Sequence, residues 1–110
     1  MFPPQVPTID VSAVPADAVI LDVREPDEWE AGHIKGALHI PLADLPARLG
    51  ELPDEGDVLV ICRSGARSAR AAGWLNQNGY DATNVAGGMG AWQDAGRDMV
   101  SETGEAPTVR

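Results

Sequence analysis

The sequence predicts an α/β domain built on a parallel sheet with helices on both faces. Two continuous apolar runs, Ala18-Val19-Ile20-Leu21-Asp22-Val23 and Asp57-Val58-Leu59-Val60-Ile61-Cys62, have the composition of strands covered on both sides. Segments of helical spacing lie between the strand-like runs, and strands alternating with helices give a parallel sheet with right-handed crossovers. Glycine or proline stands at the ends of most segments, as expected where elements stop. The 110 residues suffice for one domain with its own core and leave no room for a second.

The elements follow in order. Residues 1–7 hold three prolines and read as an extended lead-in, and 8–99 make up the domain. Thr8 to Val11 is a short edge strand, followed by the strand at Ala18 to Val23. Pro26 suits the first turn of a helix, and Asp27, Glu28 and Glu30 suit its positive N-terminal end, with Gly32 as the stop. Ala37 to Ile40 is a short strand ended by Pro41. Apolar residues at 42, 45 and 49 have helical spacing, and Gly50 closes that segment. Asp57 to Cys62 is the strongest strand of the chain. Ser68 to Asn78 is a helix ended by Gly79, Ala82 to Ala86 is a last strand, and Ala91 begins a final helix. Residues 100–110 are polar and are expected to be a loose tail.

Composition narrows the function classes. The net charge is −9, which argues against nucleic acid and against an anionic membrane surface, since both select basic faces. The single cysteine forms no internal disulfide and excludes zinc sites built on cysteine pairs. No metal ligand set and no cofactor motif stand out. No apolar run approaches the ~20 residues that span a bilayer. The start, MFPPQVPTID, lacks the basic and apolar regions of a signal peptide. A cytoplasmic protein with one free thiol is the expectation.

The chemistry concentrates at the end of the strongest strand. Ligands of open parallel sheets bind beyond the carboxyl ends of the strands. Cys62 occupies such an end, and Arg63-Ser64-Gly65-Ala66-Arg67 leads from it into the next helix. A strand, a short glycine-containing loop and a helix N-terminus form an anion cradle of main-chain amides. Arg63, Arg67 and Arg70 fall here, three of the eight basic residues of an acidic chain. A lone cysteine at a strand end is more commonly a small buried hydrophobe. The glycine, the arginines and the helix start reverse that reading, because such surroundings lower a thiol pKa from about 8.5 to roughly 3.5–7.5. The thiolate is the nucleophile.

These residues resemble the rhodanese family. Cys62-Arg63-Ser64-Gly65-Ala66-Arg67-Ser68 is similar to its active-site loop, C-x-x-G-x-R-S. Leu21 to Trp29, and Gly32-His33-Ile34-Lys35-Gly36-Ala37 followed by Ile40-Pro41, resemble its upstream signature. Gly87-Gly88-Met89-Gly90-Ala91-Trp92 resembles its last turn and helix. The resemblance runs from about Thr8 to Gly96 and implies a five-stranded parallel sheet flanked by helices on both faces. It implies a sulfurtransferase in which thiolate 62 accepts sulfane sulfur from thiosulfate or a persulfide and passes it to cyanide, a thiol or a protein. The amides from Ser64 to Arg67, with Gly65 and Ala66 between, would hold the sulfur, and Arg63 would steer an anionic donor. Arg67 would either face the anion or brace the loop through a carboxylate, with bracing slightly favoured. Related phosphatases place five residues between cysteine and arginine, whereas four separate Cys62 from Arg67 here.

Other polar residues read as architecture. His33 and Asp22 invite a triad with Cys62, but a preformed thiolate needs no base, and the resemblance assigns His33 to a structural turn. Asp22 and Arg24 are expected to pair near a strand end. His39 is read as a packing residue, as are Trp29, Trp74 and Trp92 on their helices. The expected partners are a small anionic sulfur donor and a thiophilic acceptor, with a protein as a possible donor or acceptor.

Overall fold

The protein is described by a computed structural model over residues 6–110, so the first five residues of the expected lead-in lie outside the described part. Five strands make one parallel sheet: β1 (Thr8–Ile9), β2 (Val19–Asp22), β3 (Leu38–His39), β4 (Asp57–Ile61) and β5 (Asp81–Val85), in the order β1-β5-β4-β2-β3. Three α-helices accompany them: α1 (Pro26–Ala31), α2 (Ala66–Gln77) and α3 (Gly88–Asp94). β4 is the central strand, pairing Asp22 of β2 with Ile61 and Asn84 of β5 with Val60. The residue after β4 therefore emerges at the middle of the sheet's carboxyl edge.

Alternation along the strands divides the core in two. Leu21, Val23, Val58, Val60 and Cys62 face Ala71, Ala72 and Leu75 of α2, together with Leu45 and Leu52. Ile20, Leu59 and Ile61 face Met89 and Trp92 of α3, together with Val11 and Ile34. Both faces of the sheet are covered, as near-continuous apolar strands require. No helix among the described residues is long and apolar enough to cross a membrane.

Several local expectations are corrected. The edge strand stops at Ile9, because the Asp10 carboxylate accepts from the Ser12 amide at 2.9 Å and turns Val11–Ala13 into a 3-10 segment. The helix expected from Leu42 to Leu49 is instead two 3-10 segments, Leu42–Asp44 and Pro46–Glu51. Pro46 lacks the amide that would continue the first segment, and Arg48 departs from helical backbone geometry.

The segment 100–110, expected to be loose, lies along the end of α1. Val100 and His33 exchange main-chain hydrogen bonds, and the Thr108 amide donates to Ala31 at 2.9 Å. Gly32 makes this possible, since a Cβ there would collide with the Thr108 main chain. Val109 adds apolar contact to the second core cluster. Short-range polarity concealed these pairings because they use the main chain.

Candidate active site

Cys62 is held at the end of β4 with only 1% of its surface exposed. Gly65 adopts φ +108°, a left-handed conformation open to glycine, and its amide returns toward the cysteine. That amide donates to Sγ at 3.1 Å, and the Ser68 hydroxyl lies 3.3 Å from the same atom. The loop carbonyls face the other way. Cys62 O accepts from the Met89 amide at 2.7 Å, and Arg63 O accepts from the Gly90 amide at 3.0 Å. The first turn of α3 thus ties down the acceptors of the loop and leaves its donors pointing at sulfur.

Burial pushes the Cys62 thiol up. The Ser68 hydroxyl and the amides of Ser68, Gly65 and Ser64 outweigh burial and leave the thiol below its ordinary value. The N-terminus of α2 adds its partial positive charge from the same side. Hydrogen-bond donors aimed at one buried sulfur favour any anionic form of that group, thiolate or persulfide alike.

The arginines of the loop do different things. Arg67 forms a bidentate pair with Glu28 of α1, at 2.7 and 2.9 Å. That hydrogen-bonded pair holds the Glu28 carboxyl below the usual carboxylate range. Glu28 Oε1 also accepts from the Glu25 amide at 3.0 Å, so one carboxylate joins the start of α1 to the loop. Arg63 is exposed, with its guanidinium beside Gly90 of α3. Ser64 and Ala66 are exposed at the loop surface. Arg70 is not part of the cradle and borders an apolar groove with Leu42, Pro46 and Trp74.

The residues weighed for a catalytic triad occupy other positions. Asp22 and Arg24 are both fully buried, and Arg24 reaches the Asp22 carboxylate through Nε and Nη2. Arg24 also donates to the main-chain oxygens of Gly32 and Glu28. The pair therefore ties the end of β2 to both ends of the turn that follows. His33 and His39 stack on opposite sides of Trp29, with ring centroids 3.6 and 4.7 Å away. Each donates a ring N–H to a carbonyl, His33 Nδ1 to Trp29 and His39 Nε2 to Arg24. Both imidazoles are thus committed to the Trp29 stack rather than to Cys62. Among the described residues, no three His, Cys, Asp or Glu side chains are grouped to hold a metal ion.

Sequence reasoning missed Ser68, Asn84, Glu28 and the α3 amides as contributors to the site. Ser68 was visible within the motif, six residues after the cysteine at a helix start. Asn84 had one signal, an asparagine within a strand, where that residue type is depleted.

Comparison with known proteins agrees with this fold. A model of the rhodanese-like domain matches residues 11–95. A sulfurtransferase of Allochromatium vinosum is 40% identical over 89 residues, which span 80% of this chain and 83% of that protein. A solved rhodanese-related protein of Thermoplasma volcanium superposes with a TM-score of 0.81 at 32% identity, covering 86% of this chain and 97% of that one. The structure of a thiosulfate sulfurtransferase from Pseudomonas aeruginosa gives a TM-score of 0.78 at 27% identity, covering 96% of this chain and 22% of the other. The chain belongs to the rhodanese-like domain family, and its relatives support a rhodanese-type role in sulfur transfer.

Proposed function

We propose that Cys62 carries sulfane sulfur as a persulfide, taking it from thiosulfate or a persulfide donor and passing it to a thiophilic acceptor. The observation that carries this reading is the convergence of the Gly65 amide and the Ser68 hydroxyl on one buried sulfur. In the first step the Cys62 thiolate attacks the outer sulfur of thiosulfate. The sulfur–sulfur bond of the donor breaks and sulfite departs with the bonding pair, leaving Cys–S–S⁻. In the second step cyanide or a thiolate attacks the outer sulfur and regenerates thiolate 62. The amides of the Ser64–Arg67 loop hold the negative charge of the persulfide between the steps.

Each residue has a part in this scheme. Arg63, exposed at the loop, steers the anionic donor. Arg67, paired with Glu28, braces the loop from behind rather than binding the anion. Asp22, Arg24 and His33 support the surrounding turns. A cycle that regenerates a free thiol suits a reducing compartment such as the cytoplasm. The acidic surface, with net charge −9, also favours a version in which the acceptor is a basic protein partner.

Incubation of the whole protein with thiosulfate tests the reading by intact mass. Wild type should gain the mass of one sulfur atom, and Cys62→Ser should gain nothing. Thiocyanate should then form on addition of cyanide. An absence of adduct with thiosulfate and with small persulfides, joined to robust hydrolysis of an aryl phosphate, would reject the reading in favour of a phosphatase.

A further inference from the structure

Ser68 is fully buried, and its hydroxyl has two neighbours that compete for one proton. Sγ of Cys62 lies 3.3 Å away, and Oδ1 of Asn84 lies 2.6 Å away. A hydroxyl carries a single O–H donor with two acceptor lone pairs. It can therefore point its proton at sulfur or at the amide oxygen, but not at both.

The two choices correspond to two states of the cysteine. With Cys62 as a thiol, the S–H donates to Ser68 Oγ, and Ser68 donates onward to Asn84. Every group in that chain is satisfied. With Cys62 as a thiolate, the Ser68 proton is needed at sulfur, and Asn84 Oδ1 loses its donor. Asn84 is 7% exposed, so little water reaches it to replace the lost bond. Its backbone is fixed as part of β5, where its amide donates to Pro7 at 2.8 Å and it pairs with Val60.

We infer that Asn84 is a positioning residue that competes with Cys62 for the Ser68 proton and so sets how readily the thiolate forms. The inference rests on the reading of Cys62 as the nucleophile and adds the group that tunes it. A thiolate that is too strongly stabilised is a poor nucleophile, because nucleophilicity falls with pKa. A competing acceptor inside the core keeps the sulfur reactive without a general base. The charged groups near this network are Arg67 of α2, paired with Glu28 of α1, Asp22 of β2, paired with Arg24, and the exposed Arg63, whose guanidinium lies beside Gly90 of α3. The first four are engaged in ion pairs and Arg63 is solvated, which leaves the neutral, buried Ser68–Asn84 pair as the adjustable contact.

The test is the pH profile of Cys62 alkylation by iodoacetamide, measured on the whole protein. Asn84→Ala and the closer-shaped Asn84→Leu should both move the midpoint down, with Ser68 now free to serve sulfur. Two pH units below the wild-type midpoint, a tenfold gain in ionisation constant should raise the rate about threefold, given a nucleophilicity slope near 0.5. Ser68→Ala should move the midpoint up, and adding either Asn84 change to Ser68→Ala should have no further effect. Retention of the Trp fluorescence spectrum identifies the variants that fold. An Asn84 variant with an unchanged or raised midpoint overturns the inference, and so does an equal downward shift in the Ser68→Ala background. Alkylation needs no sulfur donor, so its outcome is separate from the thiosulfate mass test.

Discussion

Gly88→Ala tests whether the first turn of α3 sets the geometry of the sulfur cradle. Gly88 has φ +57°, which costs an L-residue roughly 1–2 kcal/mol. A Cβ at this position would also stand 2.7 Å from the carbonyl carbon and oxygen of Arg63, and nearer still to Cys62 O. Ordinary contact begins near 3.4 Å, so the two segments must part by more than about 0.7 Å, with Cys62 O setting the larger demand. That displacement stretches the hydrogen bonds from Met89 and Gly90 to the loop carbonyls, now 2.7 and 3.0 Å. Weakening them adds about 1–2 kcal/mol, for a total near 2–4 kcal/mol. If the loop is the part that moves, the Gly65 amide leaves its place 3.1 Å from Sγ. A misplacement approaching 1 Å costs about 10–100-fold in rate. Gly36→Ala separates the two effects, because Gly36 has φ +85° but open space around it. It should lose only the backbone cost of roughly 1–2 kcal/mol and keep normal turnover. Urea unfolding followed by Trp fluorescence gives the stabilities, and thiocyanate formation from thiosulfate and cyanide gives the rates. A Gly88→Ala protein no less stable than Gly36→Ala, and active within about twofold of wild type, would refute the assigned role of α3.

Three further outcomes follow from the charges at the site. Because the folded Cys62 thiol lies below its ordinary value, iodoacetamide alkylation should persist below the pH at which a free thiol loses reactivity and fall only through the lower midpoint. The same depression makes Cys62 contribute stability that is complete above the unfolded thiol value and is lost as pH falls through the folded one. The stability advantage of wild type over Cys62→Ser should therefore grow as pH rises through this window; a difference flat with pH in urea titrations would contradict it. Glu28→Gln keeps the shape of the side chain but removes the charge that Arg67 grips. The partly exposed pair is worth about 1 kcal/mol or less, so unfolding should barely change while sulfur transfer falls several-fold. Unaltered transfer by Glu28→Gln would show that Arg67 does not act through this brace.

The parallel α/β architecture was legible because the chain encodes it in contiguous residues. Val58 to Ile61 and Ile20 to Leu21 are apolar on consecutive positions, and only strands covered on both faces tolerate that. The cradle was legible for the same reason, since Cys62 to Ser68 form one short stretch. What escaped was non-local or carried by the main chain. Glu28 meets Arg67 across 39 positions, and Asn84 meets Ser68 across 16. The amides of Met89 and Gly90 carry no side-chain signature at all. Residues 100–110 looked loose because their attachment to α1 runs through the backbone of Val100 and Thr108. The 3-10 segments after Pro41 show a different limit. Apolar spacing at 42, 45 and 49 fits a helix, but spacing does not register the amide missing at Pro46.

The absence of a histidine from the sulfur follows from how the site is assembled. A thiol that must be deprotonated during attack needs a base within hydrogen-bond reach. Here both histidines are spent on Trp29, where they stack on its two faces and donate to the carbonyls of Trp29 and Arg24. His39 ties that stack to the carbonyl of Arg24, whose side chain pairs with Asp22 at the end of β2, opposite Ile61. Such rigidity is useful if the charge at sulfur is set by fixed dipoles, because dipoles act only when they are already aimed. Burial alone would keep Cys62 protonated and inert. The Gly65 and Ser68 donors reverse that tendency, and α3 holds the competing carbonyls away. On the proposed function, sulfur chemistry at this atom depends less on any acid or base than on the orientation of a few peptide planes.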